Sequence, residues 1–262
     1  MDAKRRLDAL GRKAVALVQP TRSSSRAQPV GASRLGGLPE LPSDLDWPVE
    51  SGVPMMFIAQ IDLASVRAEA GESALPPSGY LWFFASRFHE FSSTVFMDER
   101  VHGLAADEAA ATRASVAAAV YRDITADSLA QRVCPEVDEL PDEAFLPSHS
   151  DRVAPIQFEP FSSLPGAPSP FLPVEFEERE DYQRAREESR DGAPSQDWLL
   201  GHIPRGDWIG ACKVGQSLLL RVSARNGAGF HWGDDDDVYF VISDGDLAAR
   251  RFDRVTIHCG LG

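Results

Sequence analysis

Apolar and polar positions alternate between three patterns along this chain. From Leu7 to Val18 the apolar residues Leu7, Leu10, Ala14, Val15, Leu17 and Val18 recur at helical spacing, and Pro20 stops the run. The pattern predicts a basic amphipathic helix. A Ser-, Arg-, Gln- and Pro-rich stretch follows, so residues 1–32 are expected to be an N-terminal helix and linker, with one domain over 33–262. Two nearly continuous apolar runs then appear, Met55–Leu63 and Tyr80–Ala85, each preceded by a Gly/Pro/Ser turn cluster. Neither alternates cleanly, which predicts central strands covered on both faces. Ala64–Ala70 between them suits a short helix.

Farther along, Ala105–Thr112 reads as helix and Val116–Tyr121 as strand, and prolines punctuate 135–173. Glu175–Asp191 holds eight acids and four arginines and reads as a solvated helix, with Glu180 and Arg184 four apart. Strands resume at Ser217–Val222, Val238–Ile242 and Val255–Cys259, with Asp244 or Asp246 capping a short helix over Leu247–Phe252. The pair of runs at 57–62 and 79–84 has the same rhythm as the pair at 218–223 and 237–242. The expected fold is therefore α+β: a mixed or mostly antiparallel sheet built from two related halves, with peripheral helices.

Composition sharpens this. Of 262 residues 43% are hydrophobic and 25% charged, a globular balance that argues against wholesale disorder. No run approaches the roughly 18 apolar residues of a membrane-spanning helix. Gly11-Arg12-Lys13 interrupts the apolar stretch that a secretory signal needs. Three cysteines without close spacing form neither a disulfide framework nor a zinc ribbon, and a cytoplasmic location is the simple reading. The formal charge of −14 is unevenly spread: residues 1–34 carry eight bases against two acids, +6, which leaves −20 for residues 35–262. Such a body repels nucleic acid and anionic membrane surfaces. It is compatible with a basic protein partner and equally with solubility alone, the commoner reason for an acidic surface. The acids that would meet such a partner are Glu136, Asp138, Glu139, Asp142 and Glu143, then Glu177 and Glu178, then Asp234, Asp235 and Asp236.

Chemistry is sparse. His231-Trp232-Gly233-Asp234-Asp235-Asp236-Asp237 is the best local candidate, because clustered oxygens suit Ca²⁺ or Mg²⁺. Asp234, Asp235 and Asp237 would be the ligands, although the spacing fails the EF-hand loop. No other cofactor is expected. There is no Gly-x-Ser-x-Gly elbow, no Cys-x₂-Cys and no His-Glu-x₂-His. Gly227-Ala228-Gly229 precedes a strand rather than a helix, so it is no nucleotide fingerprint. No catalytic residue is assigned.

Several segments in fixed order resemble the YwqG-like family of bacterial proteins: Ser33-Arg34-Leu35-Gly36-Gly37-Leu38-Pro39-Glu40-Leu41-Pro42 with Trp47-Pro48, then Phe57–Leu63, Ser78–Phe84, Trp232-Gly233-Asp234, Val238–Ile242 and Asp246-Leu247-Ala248 with Phe252. The likeness spans about residues 33–257 and is loose over 90–195. It implies an α+β fold with two related halves and brings no established catalytic residues. Relatives also occur near polymorphic toxin systems, which makes immunity an available role. The expectation is thus a non-catalytic acidic binding protein, most concretely an immunity or antitoxin protein that neutralises a basic toxin. The alternative is an enzyme or small-ligand protein using a groove between the halves, lined by Gly36, Gly37, Trp47, His231 and Trp232.

Overall fold

The computed structural model describes residues 9–20, 28–87, 117–137, 149–165, 180, 182, 184, 195–203, 214–224, 226–230 and 236–261. Fifteen strands lie in these segments: β1 (Arg12–Val18), β2 (Arg34–Gly36), β3 (Glu40–Pro42), β4 (Val49–Glu50), β5 (Val53–Pro54), β6 (Met56–Asp62), β7 (Tyr80–Ala85), β8 (Ala117–Arg122), β9 (Leu129–Gln131), β10 (Val153–Pro155), β11 (Gln157–Ser163), β12 (Trp198–Leu200), β13 (Gln216–Val222), β14 (Asp236–Ser243) and β15 (Thr256–Leu261). Two α-helices are described, α1 (Leu63–Ala70) and α2 (Asp244–Ala248). A six-stranded sheet runs β11-β1-β12-β13-β14-β15, and a five-stranded sheet runs β10-β2-β6-β7-β8. The ribbons β3–β9 and β4–β5 complete the strands, and every pairing is antiparallel. The fold is thus mostly antiparallel sheet with few helices.

The two sheets face each other across one hydrophobic core. Val15, Leu17, Leu199, Val222, Phe240 and Ile257 from the first meet Leu35, Ile58, Ile61, Leu81 and Phe83 from the second. Phe83 and Phe240 touch edge-to-face with centroids 5.1 Å apart, the geometry that aromatic quadrupoles favour. On β7 alternate residues divide: Leu81, Phe83 and Ala85 enter this core, while Tyr80, Trp82 and Phe84 enter a second core with Leu41, Trp47 and Phe57. Both faces of the five-stranded sheet are covered, as the uninterrupted apolar runs predict. A register shift between Phe57 and Ala59 puts Met56, Ile58, Ala59 and Ile61 all in the central core, which is why β6 does not alternate in sequence. A second shift between Leu218 and Leu220 does the same for β13.

The N-terminal expectation is corrected. Residues 12–18, read as part of an amphipathic helix, form β1, hydrogen-bonded to β11 on one side and β12 on the other. Ala14, Val15, Ala16 and Leu17 are all fully buried, a run of four that no helix with one apolar stripe would bury. Tertiary pairing overrides the local period here. The cap of α2 also differs: Ser243, not Asp244 or Asp246, is the N-cap, its Oγ accepting from Asp246 N at 3.0 Å while donating to Asp246 Oδ2 at 2.6 Å. The helix ends at Ala248, and a 3₁₀ turn at Phe252–Arg254 follows. Within Glu175–Asp191, Glu180, Tyr182 and Arg184 are helical, yet Tyr182 is fully buried and donates its hydroxyl to Pro165 O. The remainder of that stretch and the expected helix at 105–112 lie outside the described residues.

The two cassettes read from sequence do become antiparallel neighbours, β6–β7 and β13–β14. They are joined differently, however. α1 links β6 to β7, whereas the strand–helix–strand arrangement recurs at β14–α2–β15. Emptying the inter-sheet contact is the direct test of this architecture. Phe83→Ala is expected to cost about 3–5 kcal/mol in urea unfolding. A double-mutant cycle with Phe240→Ala should return a coupling of about 0.5–1.5 kcal/mol. Purely additive losses would mean that the rings do not meet.

Candidate functional site

The segment Ser33–Pro42 is held by a buried polar network. Glu40 Oε2 accepts from Gly31 N at 2.6 Å and from Gln60 Nε2 at 3.1 Å, and pairs with Arg34 Nη2 at 2.6 Å. Gln60 Oε1 in turn accepts from Glu40 N and from Trp82 Nε1, which also donates to Glu40 O at 2.9 Å. Burial lowers the pKa of Arg34, and the carboxylate of Glu40 opposes that shift. Ser33 Oγ accepts from Asp62 N at 2.8 Å. Gly36 and Gly37 both adopt φ near +67°, at +66° and +68°. A Cβ on Gly36 would strike Arg152 O, and one on Gly37 would strike Val153. The two glycines let β10 lie against the segment. Trp47 is buried in the second core, donates its Nε1 to Met55 O at 2.8 Å and meets Phe84 edge-on. Gly36, Gly37 and Trp47 therefore touch their own chain, while His231 and Trp232 lie outside the described residues.

A second network sits on the outer face of the six-stranded sheet. Arg221 is 5% exposed, and its guanidinium lies 4.2 Å from the Trp198 ring centroid and 6.0 Å from that of Tyr239. Its Nε donates to Asp237 Oδ2 at 2.9 Å, Nη2 donates to the same oxygen, and Tyr239 Oη joins them at 3.2 Å. Asp237, expected as a cation ligand, is committed to this ion pair. Asp234 and Asp235 lie outside the described residues, as does the side chain of Asp236. Among the described residues no group of three or more His, Cys, Asp or Glu is placed to hold a metal. Of the acids expected to meet a partner, Glu136 is exposed. Asp138, Glu139, Asp142, Glu143, Glu177 and Glu178 lie outside the described residues.

Asp197 completes the second network. Its Oδ1 accepts from Ser223 N at 2.7 Å and its carbonyl from Leu17 N at 2.8 Å. Burial pushes its carboxyl up to about 7; the Ser223 bond and Arg221 oppose the shift, and Asp237 adds to it. Burial likewise pushes His202 down to about 4, with Nε2 2.8 Å from Leu10 O, so the ring is neutral at pH 7 and donates there.

One groove crosses the end of the sandwich. It has a volume of about 570 Å³ and is lined by Arg12 and Lys13 of β1, Ser73 and Ala74 after α1, Leu200 and Gly201 at the end of β12, Ser217 of β13, and Asp244, Leu247 and Ala248 of α2. Leu200 has φ +61°, a left-handed conformation that costs a non-glycine residue about 1–3 kcal/mol. Among the described residues the other non-glycine residues with positive φ, Ser51 and Arg250, are exposed and lie in turns. Lys13 Nζ donates to Glu72 O, and Arg67 holds the Glu72 carboxylate at 2.7 Å. Ser217 Oγ donates to Asp244 Oδ1 at 2.6 Å. None of these residues was selected as a ligand site from the sequence. Gly201 after Leu199-Leu200 was the available signal, and it does not disclose the backbone twist.

A model of a family described as "Domain of unknown function (DUF1963)" matches residues 33–259. The chain belongs to this family. DUF1963 is the family of the YwqG-like proteins, so the resemblance carried by the Ser33–Pro42 segment and the later motifs holds. The DUF1963 match starts after β1, although β1 lies between two strands that fall within it. No curated protein matches the chain. Among the described residues no helix is long and apolar enough to cross a membrane.

The buried carboxyl of Asp197 makes a pH prediction. Its pKa is raised on folding, so the native state holds the proton more tightly than the unfolded chain does. The stability this contributes is complete below about pH 4 and is lost as pH rises through about 7. Asp197→Asn keeps an acceptor for Ser223 N and removes the titration. Urea unfolding between pH 5 and 8 should show the wild type losing stability relative to this variant. Parallel profiles would mean that Asp197 does not titrate in this window.

Proposed function

We propose that this DUF1963 chain is a cytoplasmic, non-catalytic binding protein whose acidic surface engages a basic protein partner, as an immunity or antitoxin protein neutralising a cationic toxin would. The observation that carries the reading is the charge of −20 over residues 35–262. On this proposal the runs at 57–62 and 79–84 and those at 218–223 and 237–242 are the cores of two related halves.

A cationic partner should associate faster than the roughly 10⁵–10⁶ M⁻¹s⁻¹ of unsteered pairs, and the gain should shrink with salt, because the screening length is only about 8 Å at 0.15 M. The experiment is affinity purification from the native host, followed by surface plasmon resonance of the recovered partner at two salt concentrations. Neutralising Asp138, Glu139, Asp142 and Glu143 together as Asn and Gln should lower the on-rate more than it raises the off-rate. An acidic partner, or an association rate indifferent to salt and to these substitutions, overturns the proposal.

A further inference from the structure

We infer that a second cavity, between α1 and residues 28–33, binds a small organic cation, an alkylammonium or alkylguanidinium head on an apolar stem. The cavity has a volume of about 340 Å³, at the lower end of the usual range for small-molecule sites. Asp62, Ser65 and Glu69 line it from one face of α1, three and four residues apart. Asp62 Oδ2 accepts from Ser65 Oγ at 2.6 Å, and Oδ1 caps the helix through Ala64 N at 3.0 Å. Glu69 Oε2 accepts from Phe158 N at 2.8 Å, which fixes that carboxylate beside β11. Among the described residues that line the cavity are these two acids and no base. Ile156 and Phe158, both buried, supply apolar wall for a stem. An anion would meet two like charges here, and a cation meets two opposite ones.

Two unpartnered polar groups point to a ligand independently of the acids. Tyr80, opposite Asp62 in the β6–β7 register, is 5% exposed, and its hydroxyl makes no hydrogen bond among the described residues. That hydroxyl lies among residues lining the cavity. A Cβ on Gly31, at φ +82°, would strike Tyr80 Oη and sit 3.0 Å from the Ala126 Cβ, and all three residues belong to the lining. Burial first, then the charges of Asp62, Glu40 and Asp127, push the phenol up to about 12. At pH 7 it therefore stays neutral and keeps its lone pairs for a donor. The amide oxygen of Gln28, also of the lining, is buried with no hydrogen-bond partner. A buried acceptor without a donor is costly, and ammonium and guanidinium heads carry donors only. One such head would satisfy these neutral oxygens and the two carboxylates together. The site does not depend on the acidic protein-binding surface proposed above.

The test uses the full chain, calorimetry and methyl NMR, with Ala126 and Ile156 as reporters and the exposed Val133 and Val214 as controls. Butylguanidinium or butylammonium should bind with a Kd of about 1 mM or tighter and shift the reporters alone. Butanol and pentanoate should bind at least about tenfold more weakly. Acetyl-arginine amide separates the sources of such a head. Binding as tight as butylguanidinium or tighter assigns it to a protein side chain, weaker binding to a free cation. Tyr80→Phe removes an oxygen that has no hydrogen bond in the fold, so the urea midpoint should hold. Its cation affinity should fall about threefold or more. Glu69→Gln keeps an acceptor for Phe158 N and Asp62→Asn keeps a helix cap, and each should cost about fivefold or more. Asp44→Asn, at an exposed acid outside the cavity, should leave the affinity unchanged. Equal binding of pentanoate, Ca²⁺ bound more tightly than either organic cation, or a loss in Asp44→Asn matching that in Glu69→Gln would each overturn the assignment. So would affinities unchanged in both Tyr80→Phe and Glu69→Gln, shifts at the control valines alone, or no cation binding at millimolar concentration.

Discussion

The meeting of Phe83 and Phe240 joins the two sheets, and much of the structure is arranged to keep that contact dry. Each ring stands on a strand with hydrogen-bonded neighbours on both sides, β6 and β8 around β7, β13 and β15 around β14. Strands so placed have no free edge, and their outward-facing residues also need cover. Trp82 and Phe84 find it in the core around Trp47 and Leu41, and Tyr239 finds it beside Trp198 and Leu218. The apolar density of β7 and β14 is the result of burying both faces, and the layers outside the sheets exist to complete that burial.

Polar groups in these outer layers fix which strand goes where. Gln60 and Trp82 sit opposite each other on β6 and β7, and both reach Glu40, whose carboxylate pairs with Arg34. Glu40, through its carboxylate and its backbone carbonyl, thereby ties β2, β3, β6 and β7 together. Slipping β6 by one residue would turn Gln60 into the central core and leave Glu40 N and Trp82 Nε1 without the amide oxygen that accepts from them. Arg221 and Asp237 do the same for β13 and β14, with Asp197 adding the tie to β12 and, through its carbonyl, to β1. These ionisable groups are therefore explained by packing. A reading that looks for chemistry in buried charge alone would choose them wrongly.

The sequence disclosed what burial alone determines. The strands at 56–62, 80–85, 216–222, 236–243 and 256–261 were legible because their apolar runs exceed what a one-faced element can bury. Ser33–Pro42 was legible as a motif, and its glycines as points of close approach, although the approaching chain is Arg152-Val153, far along the sequence. β1 was not legible. Its small and branched residues fit a helical stripe as well as a strand, and only the partners β11 and β12, more than a hundred residues away, decide between them. The groove was invisible for the same reason. Its walls come from β1, β12, β13, α2 and the turn after α1, and no local pattern records that these converge.

β1 connects these points. It is the element the family match omits, yet it lies between β11 and β12, and removing it would leave β11 without a partner in the six-stranded sheet. The same strand carries Arg12 and Lys13 to the groove, so both of these bases come from outside the matched region. Fold and charge thus divide differently along the chain. The strongly acidic body contributes both facing sheets except for this one strand, and the basic N-terminal segment contributes the strand that closes one of them.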